Sequence, residues 1–246
     1  MADSAGMREV WAATHAGHKR SNNEDRGAVP GWTSSGENEI WNGRISSVQG
    51  WAMIADGMGG HDAGEYASEI ALASVSAGIG SAGSRDKVAV LLKHSNDRVF
   101  TSMMDPKGRP GMGSTIVGVK FCGTNMLVFN VGDSRAYALE RNQLRQLSTD
   151  DSAPARTVFR SHALTQSLGG STRRLEIRPH VVEFVASSET SILLCSDGLS
   201  DLLPDAEIAS IALRNPQRPA EALVSAALDA GGDDNITVIY IGCDRK

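Results

Sequence analysis

The chain has 246 residues, 41% of them hydrophobic, a net charge of −5 and an isoelectric point near 5.7. That is ample material for a core, while the acidic balance argues against nucleic acid as a main partner, because phosphate binding needs a basic surface. The opening MADSAGMREVW lacks a basic-then-apolar signal segment. No apolar run approaches the roughly 20 residues of a membrane span, so a cytoplasmic chain without a membrane partner is expected.

Val10 to Gly17 reads as a first strand, followed by the polar segment His18 to Asp25. Arg26 to Trp32 forms a second, closed by Pro30 and Gly31. Thr33 to Gly50, rich in Ser, Asn and Gly, reads as a long turn or surface hairpin. Trp51 to Ala55 is a buried strand that ends on Asp56, after which Gly57, Gly59 and Gly60 let the backbone turn tightly. Asp62 and Glu65 have the spacing of a helix N-cap and its capping-box partner, predicting a helix from Ala63 to Ile79. A second helix over Arg85 to Met104 carries Val88, Leu91, Leu92, Ser95 and Val99 on one face, and the prolines of Asp105 to Gly111 stop it.

Ser114 to Phe121, Met126 to Val131 and Arg135 to Leu139 are β-rich runs joined by tight turns, predicting an antiparallel meander that Gln143 to Leu147 extends. Asp150 to Gly170 is irregular. Val181 to Val185, Ile192 to Cys195 and Ile236 to Ile241 are further strands. Pro204 to Leu213 and Pro219 to Ala230 read as helices with Pro near their starts. With no linker, low-complexity run or repeat, residues 1–246 read as one domain: sheets covered by helices, an α/β sandwich with largely antiparallel sheets.

A carboxylate at the end of a buried strand costs several kcal/mol unless something pairs with it. For Asp56 two readings stand: a metal ion, or a plain cap on the glycine turn. Asp133 and Asp197 also follow apolar strands, and Asp234 precedes one. In antiparallel sheets, strand ends and strand starts share an edge, so these four acids, with Glu24 and Asp25, can gather there. Six carboxylates at one edge repel one another without cations. An oxygen-only set without His or Cys partners suits Mg²⁺ or Mn²⁺ over zinc. Cys122, Cys195 and Cys243 are isolated in apolar stretches and read as buried structural thiols.

In chain order, the strings Arg20-x-x-Asn23-Glu24-Asp25, Asp56-Gly57-Met58-Gly59-Gly60-His61 with Gly64-Glu65, Gly113-Ser114-Thr115, Gly132-Asp133-Ser134-Arg135, Ser196-Asp197-Gly198-Leu199 and Asp234-Asn235-Ile236-Thr237 span nearly the whole chain. Together they resemble the metal-dependent protein serine/threonine phosphatases of type 2C, in their bacterial single-domain form. The resemblance implies an α+β fold, a four-layer αββα sandwich of two mainly antiparallel sheets flanked by helix pairs, with a binuclear Mn²⁺ or Mg²⁺ centre at one edge.

It further implies that Asp56 bridges both metals and the Gly57 carbonyl ligates one. Asp197 and Asp234 complete the first ion; Glu24 and Asp25 hold the second, directly or through water. Asp133 resembles the acid that helps bind a third, looser ion in bacterial members. Arg20 would take the substrate phosphate, with a surface ion pair to Glu24 or Asp25 as the alternative. His61 stands as a general acid, a substrate contact or a plain loop residue, and His162 as a solvated loop residue.

The implied reaction is hydrolysis of phosphoserine and phosphothreonine in proteins by metal-activated water. The implied partners are phosphorylated proteins and a cognate serine/threonine kinase, with the phosphatase itself a monomer. The alternatives are a non-catalytic regulatory module of the same fold and a hydrolase of small phosphoesters. Three departures stand out. His15 replaces an Asp common in the family. Asp151 replaces the His of the usual Leu-Thr-x-Asp-His-Ser string, here Leu147 to Ser152. The segment from about 150 to 170 is shorter than the usual flap.

Overall fold

The computed structural model of the chain describes residues 6–60, 62–123, 125–153 and 163–243, with the side chain of Asp62 left aside. Strand β1 (Met7–His15) leads to β2 (Asp25–Val29), which turns at Pro30-Gly31 into the short β3 (Trp32–Thr33). Then come β4 (Asn38–Ser46) and β5 (Trp51–Met58). Helices α1 (Asp62–Ile79) and α2 (Arg85–Ser102) follow. Next are β6 (Gly113–Ser114), β7 (Ile116–Cys122), β8 (Asn125–Val131), β9 (Arg135–Glu140), β10 (Gln143–Gln146) and β11 (Leu168–Gly169). The chain continues through β12 (His180–Val185), β13 (Ser191–Cys195), the single turn α3 (Asp197–Ser200), α4 (Asp205–Arg214) and α5 (Pro219–Asp229) to β14 (Ile236–Ile241).

One sheet has the order β10-β9-β13-β14-β1-β4 and the other runs β12-β8-β7-β5, with β2 and the short β6 paired to β5 and β11 paired to β6. Every pairing is antiparallel. The central strands are apolar on both faces, as side-chain alternation requires of a strand covered on both sides. In β5, Ala52 and Ile54 point between the sheets while Met53 and Ala55 pack toward α1 and α2. In β14, Ile239 and Ile241 point between the sheets while Val238 and Tyr240 pack toward α4 and α5. Three apolar clusters therefore separate four layers, helices, sheet, sheet, helices, as the resemblance implies.

The stretch Thr33 to Gly50 is neither a long turn nor a surface hairpin folded on itself. It contains β4, which pairs along its whole length with β1. As an edge strand whose residues, all but Ile45, are exposed or half-buried, β4 lacks the apolar run that marks a buried strand. Its anchor is tertiary: Trp41 stacks on Trp32 at 5.3 Å and Ile45 is buried. The predicted meander also breaks. β7 and β8 form a hairpin, but β9 pairs with β10 and β13 in the opposite sheet. The chain changes sheets at Gly132, whose φ of 105° belongs to glycine, and where a Cβ would stand 2.6 Å from Thr115 Cγ2. Local alternation announces a strand but not its sheet.

Of the expected capping box, the Asp62 side chain lies outside the described residues, and Glu65 is held by Arg26. Cys195 is buried, but Cys122 and Cys243 are only half-buried, because each sits at the end of a strand or just beyond it. No helix among the described residues is long and apolar enough to cross a membrane.

Because Ile54 is fully buried between the sheets and Ile40 is 65% exposed on β4, Ile54→Ala should cost about 2–5 kcal/mol. Ile40→Ala should stay within about 0.5 kcal/mol. Urea unfolding of the two variants checks this; equal costs would contradict the layer assignment.

Candidate active site

The strand ends converge on one edge of the sandwich. Asp25 in β2 lies directly opposite Asp56 in β5. Val238 of β14 faces Cys195 of β13, and Arg135 of β9 faces the same Cys195, so Asp133, Asp197 and Asp234 reach that edge from neighbouring strands. A cavity of about 680 Å³ opens there, lined by Glu24, Asp56, Gly57, Asp133, Asp197 and Asp234, with Arg20 also on its wall. Asp25 lies buried behind Asp56. The structure thus brings together every acid singled out in the sequence. His61 and His162 lie outside the described residues.

Close approach of backbones builds the wall. Gly57 N–H donates to the Glu24 carbonyl at 3.2 Å, and a Cβ on Gly57 would stand 2.0 Å from the Gly64 carbonyl oxygen. A Cβ on Gly64 would in turn meet Glu24 Oε2 at 2.0 Å, so the second glycine makes room for that carboxylate. The Asp56 N–H donates to Thr115 Oγ1 at 3.1 Å, and Thr115 Oγ1 lies 2.7 Å from Ser134 Oγ, tying the Asp56 and Asp133 turns together.

Asn235 locks the first motif. Its Oδ1 accepts the Glu24 N–H at 2.8 Å while its Nδ2 donates to the carbonyls of Ala16 and Asn22 at 2.8 and 2.9 Å. Ser196 Oγ donates to Asp25 Oδ2 at 2.7 Å and accepts the Thr237 N–H at 2.9 Å. Thr115, Ser196 and Asn235 stood inside the quoted strings without a role. Nothing in their spacing says which backbone they bind, since their partners come from distant strands.

The electrostatics are those of crowded, half-desolvated acids. Burial, and then Asp25, Asp197, Asp234 and Asp133, push the Asp56 carboxyl well above the usual range. Burial raises Asp197 to about 8, with Asp133 and Asp234 adding to it. Burial raises Asp25 to about 6 against the Ser196 hydrogen bond. Asp25 Oδ1 is buried with no hydrogen-bond partner. A divalent cation among these oxygens would relieve both the repulsion and the orphaned acceptor, and an all-oxygen donor set fits Mn²⁺ or Mg²⁺. Among the described residues, no three acids, histidines or cysteines already form a closed ligand group; the acids line the cavity instead.

Arg20 donates from Nη2 to Asp234 Oδ2 at 2.5 Å, so its ion pair is with Asp234, not with Glu24 or Asp25. Both side chains are well exposed, 55% and 38%, which makes the pair weak and exchangeable. Beside it, Lys19 Nζ meets Asp233 Oδ1 at 2.6 Å. His15 stands off the cavity, its Nδ1 accepting the Gly17 N–H at 2.9 Å. The Cys195 thiol is pushed up to about 12 by burial, so it offers no thiolate nucleophile.

The family model described as Protein phosphatase 2C matches residues 41–229. The serine/threonine phosphatase stp of Listeria monocytogenes is 30% identical to this chain, over 94% of each. The serine/threonine protein phosphatase PstP of Mycobacterium tuberculosis is 31% identical over 76% of this chain and 39% of its own length. A crystal structure of the PstP catalytic domain in complex with two manganese ions superposes with a TM-score of 0.76 at 29% identity, covering 97% of this chain and 100% of that one. With the motif strings, the four-layer fold and the acid-lined edge all in agreement, the chain belongs to the protein phosphatase 2C family.

Proposed function

We propose that the acid-lined cavity hydrolyses phosphoserine and phosphothreonine in proteins. The chain is a metal-dependent protein serine/threonine phosphatase, and Mn²⁺ or Mg²⁺ is its cofactor. The observation that carries the site is the gathering of Asp56, Asp133, Asp197, Asp234 and Glu24 around one cavity, with Asp25 registered against Asp56. A non-catalytic relative would be expected to lose one of these acids, and none is missing.

In this reading the Gly57 carbonyl, Asp197 and Asp234 would hold one ion and Glu24 and Asp25 a second, directly or through water, with Asp56 contributing to both, and Asp133 would help hold a third, looser ion. When bound, such ions activate water for in-line attack at phosphorus and neutralise the charge that develops there. The chain's own residues supply the rest. Thr115 and Asn235 hold the backbones of Asp56 and Glu24, so the carboxylates keep their places despite mutual repulsion. Arg20 on the cavity wall offers a fork of N–H donors to two phosphate oxygens, once it releases Asp234. Leu164 and Ser167, from the short segment between residues 150 and 170, line the same cavity and border the substrate. His61, beside the cavity in sequence, stands as a candidate acid for the leaving oxygen.

Residues 1–246 act in this reading as one catalytic domain with a shortened flap, monomeric and cytoplasmic. A serine/threonine kinase must supply the phosphorylated hydroxyls it consumes.

Hydrolysis of para-nitrophenyl phosphate should require added Mn²⁺ or Mg²⁺ and vanish with EDTA; full turnover in chelator would end the metal-dependent reading. Arg20→Ala should lower kcat/KM for a phosphothreonine peptide by about 10²-fold. Arg20→Lys should recover only part, since a point charge cannot make the bidentate contact. Calorimetric Mn²⁺ affinity should hold or rise in Arg20→Ala, because Asp234 is freed. A defect cured by excess Mn²⁺ would place Arg20 on the metal instead.

The raised acids also set a pH dependence for the metal-free fold. A carboxyl whose folded pKa is raised contributes stability that is complete below its unfolded value, about 4. That contribution is lost as pH rises through about 6 for Asp25 and about 8 for Asp197. In EDTA, Tm should therefore fall by several degrees between pH 5 and 8, and Asp197→Asn should flatten the upper part of the fall. Mn²⁺ should restore Tm at pH 8. Metal-free melting that is independent of pH would show that burial and crowding do not raise these acids.

A further inference from the structure

Asp151, which replaces the family's usual His, sits where three parts of the structure meet. Its Oδ2 accepts the Gly132 N–H at 2.9 Å, and its own N–H donates to the Gly132 carbonyl at 3.0 Å. Its Oδ1 lies 2.8 Å from Nε2 of His180, the first residue of β12. Its carbonyl accepts the Thr165 N–H at 2.7 Å, beside the Ser152–Leu164 bridge that closes the base of the short flap. The Asp151 side chain is only 9% exposed and His180 33%.

The neighbours reinforce the junction. Asn130 donates to the carbonyls of Gly132 and Thr149 at 3.2 and 2.7 Å and accepts the Thr149 N–H at 3.1 Å. Arg135 clamps Asp150 at 2.7 Å. The turn so held is the one that changes sheets and carries Asp133 into the cavity.

We propose that Asp151 and His180 form a positioning pair that holds the Gly132–Asp133 turn against β12 and the flap base, and so aims Asp133 into the active site. The chemistry needs a carboxylate at 151. Two oxygens accept two N–H donors on opposite sides, which a single imidazole nitrogen cannot do. Asp151 touches no substrate and acts only through the turn. The proposal rests on the reading of Asp133 given above.

Two measurements test it. In metal-free protein, amide hydrogen exchange at Gly132 should quicken at least about tenfold in Asp151→Ala and in His180→Ala, with the fold retained by circular dichroism. His180→Gln, which keeps an N–H donor, should restore part of the protection. With Mn²⁺ and a phosphothreonine peptide, Asp151→Ala should lower kcat by about tenfold. In an Asp133→Ala background the same change should cost less than about twofold, because coupled groups are not additive.

Unchanged exchange at Gly132 in folded Asp151→Ala and His180→Ala overturns the proposal. Quickened exchange with equal kcat losses in both backgrounds overturns the link to Asp133 and leaves the phosphatase reading intact. Full activity of Asp133→Ala removes Asp133 from the site and overturns the proposal with it. Should Asp151→Ala not fold, the half-exposed His180→Ala carries both measurements.

Discussion

The constraint on which the structure depends is the placement of mutually repelling carboxylates at one desolvated edge. Asp25 and Asp56 face each other across two paired strands, the least favourable place for two negative charges. Burial and neighbouring acids raise both, and Asp197 with them. A fold that tolerates this must hold the acids by means other than their own attraction.

It does so through the backbone. Strand pairing sets the height of each acid along the edge, and neutral side chains from distant segments pin the peptide groups around it. Asn235 joins β14 to the first motif, Thr115 joins the Asp56 and Asp133 turns, and Ser196 joins β13 to Asp25. None of these side chains cancels charge. They fix geometry and leave the electrostatic imbalance for a cation to relieve, so stability in the metal-free state is surrendered for a ready ligand set. The four layers beneath serve the same end. Strands buried on both faces resist the shear that repulsion would otherwise produce.

The rim differs from the acid centre. Arg20 and Lys19 make exposed ion pairs to the adjacent Asp234 and Asp233, weak enough to exchange for phosphate or solvent. The flap base, by contrast, is held by two adjacent acids pulling in different directions, Asp150 to Arg135 and Asp151 to His180. The chain therefore leaves and re-enters this edge, at Ser152 and Leu164, from a firm root. The residues nearest the cavity after it, Leu164 and Ser167, are placed by that root and by the β6–β11 pairing that follows.

Much of this was legible in the chain itself. Apolar runs ending on Asp56, Asp133 and Asp197, and one starting after Asp234, announce strands and acids together, because strand burial is written in local alternation. The order of six motif strings then implied the family and its metals. What the sequence could not state depends on contacts between segments far apart. β4 reads as part of a long turn or surface hairpin because an edge strand needs no continuous apolar run. β9 looked like the third strand of a meander because alternation does not say which sheet a strand joins. Arg20 met Asp234, more than two hundred residues away in sequence, where an ion pair to nearby Glu24 or Asp25 had stood only as the alternative to a phosphate contact. Asp151 read as a departure from a familiar string, and only the arrival of His180 and Gly132 at its two oxygens gave it work. Local chemistry selects which residues form the elements; long-range packing decides which of them meet.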